Sequence, residues 1–154
     1  MVSAADLNRL VGKNINHICG NGFANPNDNH CAHFVGHAMD YSFGYTCKIA
    51  SGGKLAGANL RVHEIFARCP TVGTWGDKPI TLATCLVFVT NASHVNVATK
   101  TMDNIPQKHI GIFIQGMIWH YSNSHHRVVT QTPDQFIHHY PGPGVALFYG
   151  QVIG

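Results

Sequence analysis

Cys31, His109 and His120 are the residues of this chain whose types and order suit covalent catalysis. Cys31 stands where a loop rich in glycine and asparagine runs into a helical pattern, in the stretch Asn27-Asp28-Asn29-His30-Cys31-Ala32-His33-Phe34-Val35. A thiol at a helix start faces unpaired backbone N–H groups and the positive end of the helix dipole. Both favour the thiolate, the reactive form, so Cys31 is expected to be an activated nucleophile. His109, on a strand pattern, is the candidate general base, and His120, on the next strand, the candidate orienting partner. Nucleophile, base and orienter are the minimal set for covalent catalysis. Alternation along the first strand sends His109, Gly111 and Phe113 to one face and Ile110, Ile112 and Ile114 to the other. Across a tight turn at Gln115-Gly116, position 109 falls opposite 122, so His120 lies diagonally on the same face. A hydrogen bond between the two imidazoles would fix the tautomer that leaves the other nitrogen for sulfur. Gly111 is expected to leave room beside the imidazole for a substrate chain. An oxyanion site would use the Cys31 backbone N–H and one further donor, for which Asn29 and His30 are candidates. Ser122 and Asn123 compete with His120 as orienting residues, and His94 is a rival base in a polar stretch.

The elements that must position these residues are legible from periodicity and caps. Residues 3–18 read as an amphipathic helix capped by Ser3, with Leu7, Leu10, Val11, Ile15 and Ile18 on its stripe. Residues 20–29 are a loop. Asp28 or Asn29 can cap a second helix over 30–42, in which Cys31, Val35, Ala38 and Met39 share a face. Gly44 is a sensible stop, residues 50–58 are expected to be mobile, and a third helix spans 59–68. Strands follow at 84–90, 109–115, 117–122, 127–131 and 144–150, with a short helix begun by Thr132-Pro133-Asp134-Gln135. Helices first and strands second argue for a single α+β domain over 1–154, an antiparallel sheet packed on the Cys31 helix.

The motif set resembles the NlpC/P60 superfamily of papain-like cysteine hydrolases, which includes the CHAP amidases. The matching pieces are the segment 29–35 around Cys31, Cys85-Leu86-Val87-Phe88-Val89, His109-Ile110-Gly111-Ile112-Phe113-Ile114 and Ile118-Trp119-His120-Tyr121-Ser122. The His-Ile-Gly-Ile-Phe-Ile hairpin strand is the most specific of them. The resemblance implies a papain-like core with Cys31 as nucleophile, His109 as base and His120 as the third polar residue. It implies a cysteine amidase or endopeptidase acting on peptidoglycan stem peptides, at a γ-D-glutamyl bond or a cross-link, with no cofactor. Two departures stand out. His30 replaces the acidic residue the family often has before its cysteine, and Ala83-Thr84-Cys85 replaces a usual glycine and acidic residue before the Leu-Val-Phe strand. The segment around Cys31 also resembles the lecithin:retinol acyltransferase group, which would imply a lipid acyltransferase or thioesterase. In that group, however, the histidine precedes the cysteine.

Composition narrows the remaining classes. At 154 residues, 45% hydrophobic and 11% charged, the chain is long enough for a real core and is not a disordered sequence. Its ten Lys and Arg are scattered singly, which gives no nucleic-acid footprint. No stretch approaches the roughly 18 apolar residues of a membrane span. Residues 1–20 lack a secretory pattern, so synthesis in the cytoplasm is expected. Export by a specialised machine such as type VI secretion would then be needed to reach a cell wall, with an immunity or inhibitor protein as partner; a phage lysin is the other fit. Of the five cysteines, Cys69 and Cys85 read as small buried hydrophobes; Cys19 and Cys47 flank the Cys31 segment, and the sequence alone does not assign a disulfide between them. His30, His33 and His37 share one helix side at ligand spacing. Without a cysteine or carboxylate at a recognised spacing they are expected to be solvated or supporting histidines, and no metal is assigned; a noncatalytic metal-binding module is the alternative.

Overall fold

The computed structural model describes residues 2–20, 22–41, 43 and 60–154. Cys47, Gly44 and the glycine- and alanine-rich segment 50–58 lie outside the described residues, and with them the Cys19–Cys47 pairing. The helices are α1 (Ala4–Asn8) and α2 (Cys31–Met39), then α3 (Val62–Arg68). Strands β1 (Val72–Thr74), β2 (Thr84–Asn91), β3 (Val95–Asn96), β4 (Thr101–Met102), β5 (Lys108–Ile114), β6 (Met117–Ser122) and β7 (Arg127–Gln131) follow. The chain ends with α4 (Pro133–Phe136) and β8 (Val145–Gly150). Six strands form one antiparallel sheet in the order β1-β8-β2-β5-β6-β7, and β3 pairs with β4 beside it. The class is α+β, as the order of patterns implies. Among the described residues no helix is long and apolar enough to cross a membrane.

Alternation divides the sheet into two faces. Leu86, Phe88, Ile110, Ile112, Ile114, Trp119 and Tyr121 face α2 and α3, where they meet Phe34, Val35, Ile65 and Phe66. Cys85, Val87, Val89, Phe113, Ile118 and Tyr149 face the other way, under Phe136 of α4. Burial on both sides explains why β2 and β5 read as nearly continuous apolar runs. Cys69 and Cys85 are fully buried, as expected of small core residues.

The first helix is shorter than its stripe predicts. Ser3 caps it and Asp6 closes the capping box, but α1 ends at Asn8. Gly12 sits at φ 84, its N–H donates to the Val128 carbonyl, and the Lys13 carbonyl accepts from Val128 N–H. Backbone pairing with β7 thus overrides helical periodicity at 11–13. A 3-10 turn at Ile15–His17 carries the rest of the stripe, pinned where Ile15 N–H donates to the Tyr121 hydroxyl at 3.1 Å. The Gln115-Gly116 turn is the tight hairpin predicted. Both residues have positive φ, 47 and 93, as a type I′ turn requires.

Candidate active site

Helix α2 begins at Cys31 because Asn29 and Asn123 build its entrance. Cys31 N–H donates to Asn29 Oδ1 at 3.0 Å, Asn123 Nδ2 donates to the same oxygen at 2.9 Å, and His30 N–H donates to Asn123 Oδ1 at 2.9 Å. Asn123, just past β6, therefore clamps the approach to the cysteine from across the sheet. The thiol is 1% exposed. Burial pushes its pKa up to about 11, against the pull of the backbone N–H groups of Ile110, Ala32 and Cys31 and the charge of Lys108. This corrects the expectation of a resting thiolate. A helix dipole supplies about 0.3–1 kcal/mol, whereas full burial can move a pKa by about 3–5 units. Here the larger effect wins, and the resting group is a neutral thiol.

The candidate base is built on β5, β6 and β7. His109 Nε2 lies 2.9 Å from His120 Nδ1, and His120 Nε2 lies 2.8 Å from Gln131 Oε1. The β6–β7 register sets Gln131 opposite Ile118 and so diagonal to His120. Proton accounting fixes the tautomers. The Gln131 oxygen only accepts, so His120 carries its proton on Nε2 and accepts at Nδ1. His109 then carries its proton on Nε2, which leaves a lone pair on Nδ1. That Nδ1 is buried and has no hydrogen-bond partner. Burial, then His139 and His120, hold the His109 pKa well below the usual range, so the ring is neutral near pH 7. His139 stacks on His109 at 3.9 Å between ring centroids, and Phe136 packs on both site histidines at 5.5 and 5.0 Å.

The thiol and the imidazole belong to different faces of the sheet. The body of α2 packs on the Ile110 side, while the His109 ring lies on the α4 side with Phe136 and His139. Of the β5 groups, the N–H of Ile110 favours the Cys31 anion. The β5–β6 ladder stops at Ile112–Trp119, short of residues 108–110. Tyr140 stands edge-on to His139 at 4.7 Å, and its hydroxyl is pushed up by burial and then by Cys31. Cys31 influences Tyr140 of that cluster, and among the described residues no Cys31–His109 hydrogen bond is formed.

A small cleft of about 30 Å³ opens beside the thiol, lined by Asn29, Cys31, Ala32, Leu60, Arg61, Val62, Pro106 and Lys108. Lys108 is 8% exposed, and its ammonium is anchored by Asn104 Oδ1 at 2.9 Å and the Ile105 carbonyl. The cleft is therefore basic.

Three expected roles change. His30 cannot serve an oxyanion with its side chain, because Nδ1 meets His33 Nδ1 at 2.9 Å and Nε2 meets the Asn25 carbonyl at 2.7 Å. Asn29 turns its oxygen onto the Cys31 N–H and so occupies the donor it was expected to supplement. Gly111 leaves no room for substrate: a Cβ there would lie 2.6 Å from Ile118 Cγ2 and 3.1 Å from the Trp119 carbonyl oxygen. That glycine serves the close approach of β6. Of the competing residues, Asn123 holds the α2 entrance, Ser122 Oγ pairs with His125 Nδ1 at 2.9 Å, and His94 pairs with Asp103 at 3.0 Å. Gln131, His139 and Lys108 escaped the sequence reading. The diagonal register could have found Gln131. His139 carries no local signal, because it reaches His109 only through the fold.

No protein-family model, curated protein or solved structure matches this chain.

Proposed function

We propose that the protein is a cysteine amidase or endopeptidase that hydrolyses amide bonds in peptidoglycan stem peptides. The observation that carries the reading is the Gln131–His120–His109 chain, which leaves a bare, buried Nδ1 lone pair on the residue beside Ile110, whose N–H favours the Cys31 anion. The basic cleft adds support for the substrate class, because stem peptides carry carboxylates that Arg61 and Lys108 would attract.

The chemistry starts from two neutral groups. As substrate enters, His109 Nδ1 takes the Cys31 proton while sulfur bonds to the amide carbon. The carbonyl oxygen becomes an oxyanion, and the Cys31 N–H turns to it from Asn29 Oδ1. The new imidazolium is stabilised through His120 and Gln131. It then protonates the amide nitrogen, the C–N bond breaks and an amine leaves. Water gives a proton to His109, attacks the thioester and releases the acid, and the proton returns to sulfur.

The test is turnover of purified muropeptides by the wild-type protein and by Cys31→Ala. Product from the wild type alone is expected. Equal product from both would remove Cys31 from the mechanism.

A further inference from the structure

We propose that Cys19, His33 and His37 form a zinc site that fastens the segment before α2 to the helix. Their ligand atoms all lie within 4.8 Å of one another. His33 and His37 sit one turn apart on α2, with their Nε2 atoms 3.1 Å apart. Two nitrogens bound to one tetrahedral zinc at about 2.05 Å would be about 3.3 Å apart, so the pair is already near ligand spacing. Cys19 arrives from the chain after the 3-10 turn at Ile15–His17 and supplies a sulfur that Cys31 of α2 does not bring to this cluster. Cys19 and His33 are buried, while His37 is half-buried at the rim.

A second observation points to a ligand. The Asn25 carbonyl can only accept, so His30 carries its proton on Nε2, 2.7 Å away. His30 Nδ1 must then accept, and His33 donates to it from Nδ1 at 2.9 Å. That relay leaves the His33 lone pair on Nε2, which meets His37 Nε2 at 3.1 Å with the Cys19 sulfur within 4.8 Å. Metal-binding histidines are oriented in this way, with the remote ring N–H held by a fixed acceptor. A thiolate with two imidazoles suits zinc among the common divalent ions, and water completes the tetrahedron. Binding transfers one proton to solvent as the Cys19 thiol becomes a thiolate, and His37 moves its ring proton to Nδ1. The site stands whether or not Cys31 is a nucleophile.

The experiment uses the full chain under a non-chelating reductant, with Co²⁺ as the spectroscopic probe and Zn²⁺ as competitor. One Co²⁺ per chain is expected, with intense tetrahedral visible bands and a thiolate-to-cobalt charge-transfer band, all displaced by Zn²⁺. Cys19→Ser should lose the charge-transfer band, while Cys31→Ala keeps it. His37→Gln, at the half-buried rim, should weaken binding at least about tenfold, and His30→Phe by about 10–100-fold. Zn²⁺ should raise the melting temperature of the wild type but not of Cys19→Ser, with circular dichroism confirming that each variant is folded. Substoichiometric metal, a charge-transfer band that survives Cys19→Ser, or a folded His37→Gln that binds as tightly as wild type would each overturn the proposal.

Discussion

Cys31 and His109 have opposite electrostatic demands, and burial decides both. The thiol is pushed up to about 11, and the imidazole is held neutral well below its usual range. The resting pair is therefore thiol and imidazole, not thiolate and imidazolium. Alkylation of Cys31 by iodoacetamide, followed by peptide mass analysis, should accelerate with pH and still be climbing at pH 9. A rate that levels off below pH 7 would instead indicate a preformed ion pair. Gln131 is the residue that sets the tautomers of both histidines, through one hydrogen bond of 2.8 Å. Gln131→Leu should lower kcat about tenfold or more with a smaller change in KM, because it frees the base to carry its proton on the wrong nitrogen. Steady-state kinetics on muropeptides would check this, and an unchanged kcat would remove Gln131 from the relay. The sequence marks Cys31, His109 and His120 by type and order, and alternation even places the two histidines within hydrogen-bonding distance. The protonation state was not legible, because desolvation depends on atoms brought from β5 and β6.

Strands β5 and β6 hold His109 and His120 through a contact that tolerates no added carbon. A Cβ on Gly111 would press on Ile118 and on the Trp119 carbonyl, and backbone cannot yield as a flexible side chain can. Gly111→Ala should therefore cost about 1–3 kcal/mol in stability, the range for overpacking a closely fitted core. Chemical unfolding would report it, and a neutral outcome would mean that β6 is free to shift. Hairpin elements of this kind were legible in sequence because their signals are local: Gln115-Gly116 for the turn, alternation for the faces. The first helix was overextended for the opposite reason. Its stripe continues past Asn8, yet Gly12 and Lys13 give their backbone groups to Val128, a partner more than a hundred residues away. The Cys19–His33–His37 cluster escaped in the same way. Two of its members show helical spacing, and the third joins only through the fold.

At the scale of the whole molecule, the sheet carries buried neutral histidines on its α4 face, and their burial ties stability to pH. In the unfolded chain each titrates near its usual value of about 6.5. In the folded state His120 falls to about 4, and burial, then His139 and His120, hold His109 well below its usual value. Below pH 6.5 the unfolded chain binds protons that the folded chain refuses, so stability is full above that pH and falls as pH drops toward 4. Each of the two contributes a slope of up to about 1.4 kcal/mol per pH unit in that window. Urea unfolding between pH 7 and pH 5 should show this decline, and His120→Asn should make it shallower; a flat profile would mean that these rings are charged in the fold. The proposed hydrolysis requires the thiol of the helix layer and the imidazole of the α4 face to converge at β5. That convergence is tested most directly by acid-quenching the protein during muropeptide turnover and weighing its peptides. A stem-peptide acyl group in thioester linkage on the Cys31 peptide is expected, absent from Cys31→Ala and failing to accumulate in His109→Ala. Turnover that proceeds with no adduct on Cys31, and at an equal rate without its sulfur, would contradict it.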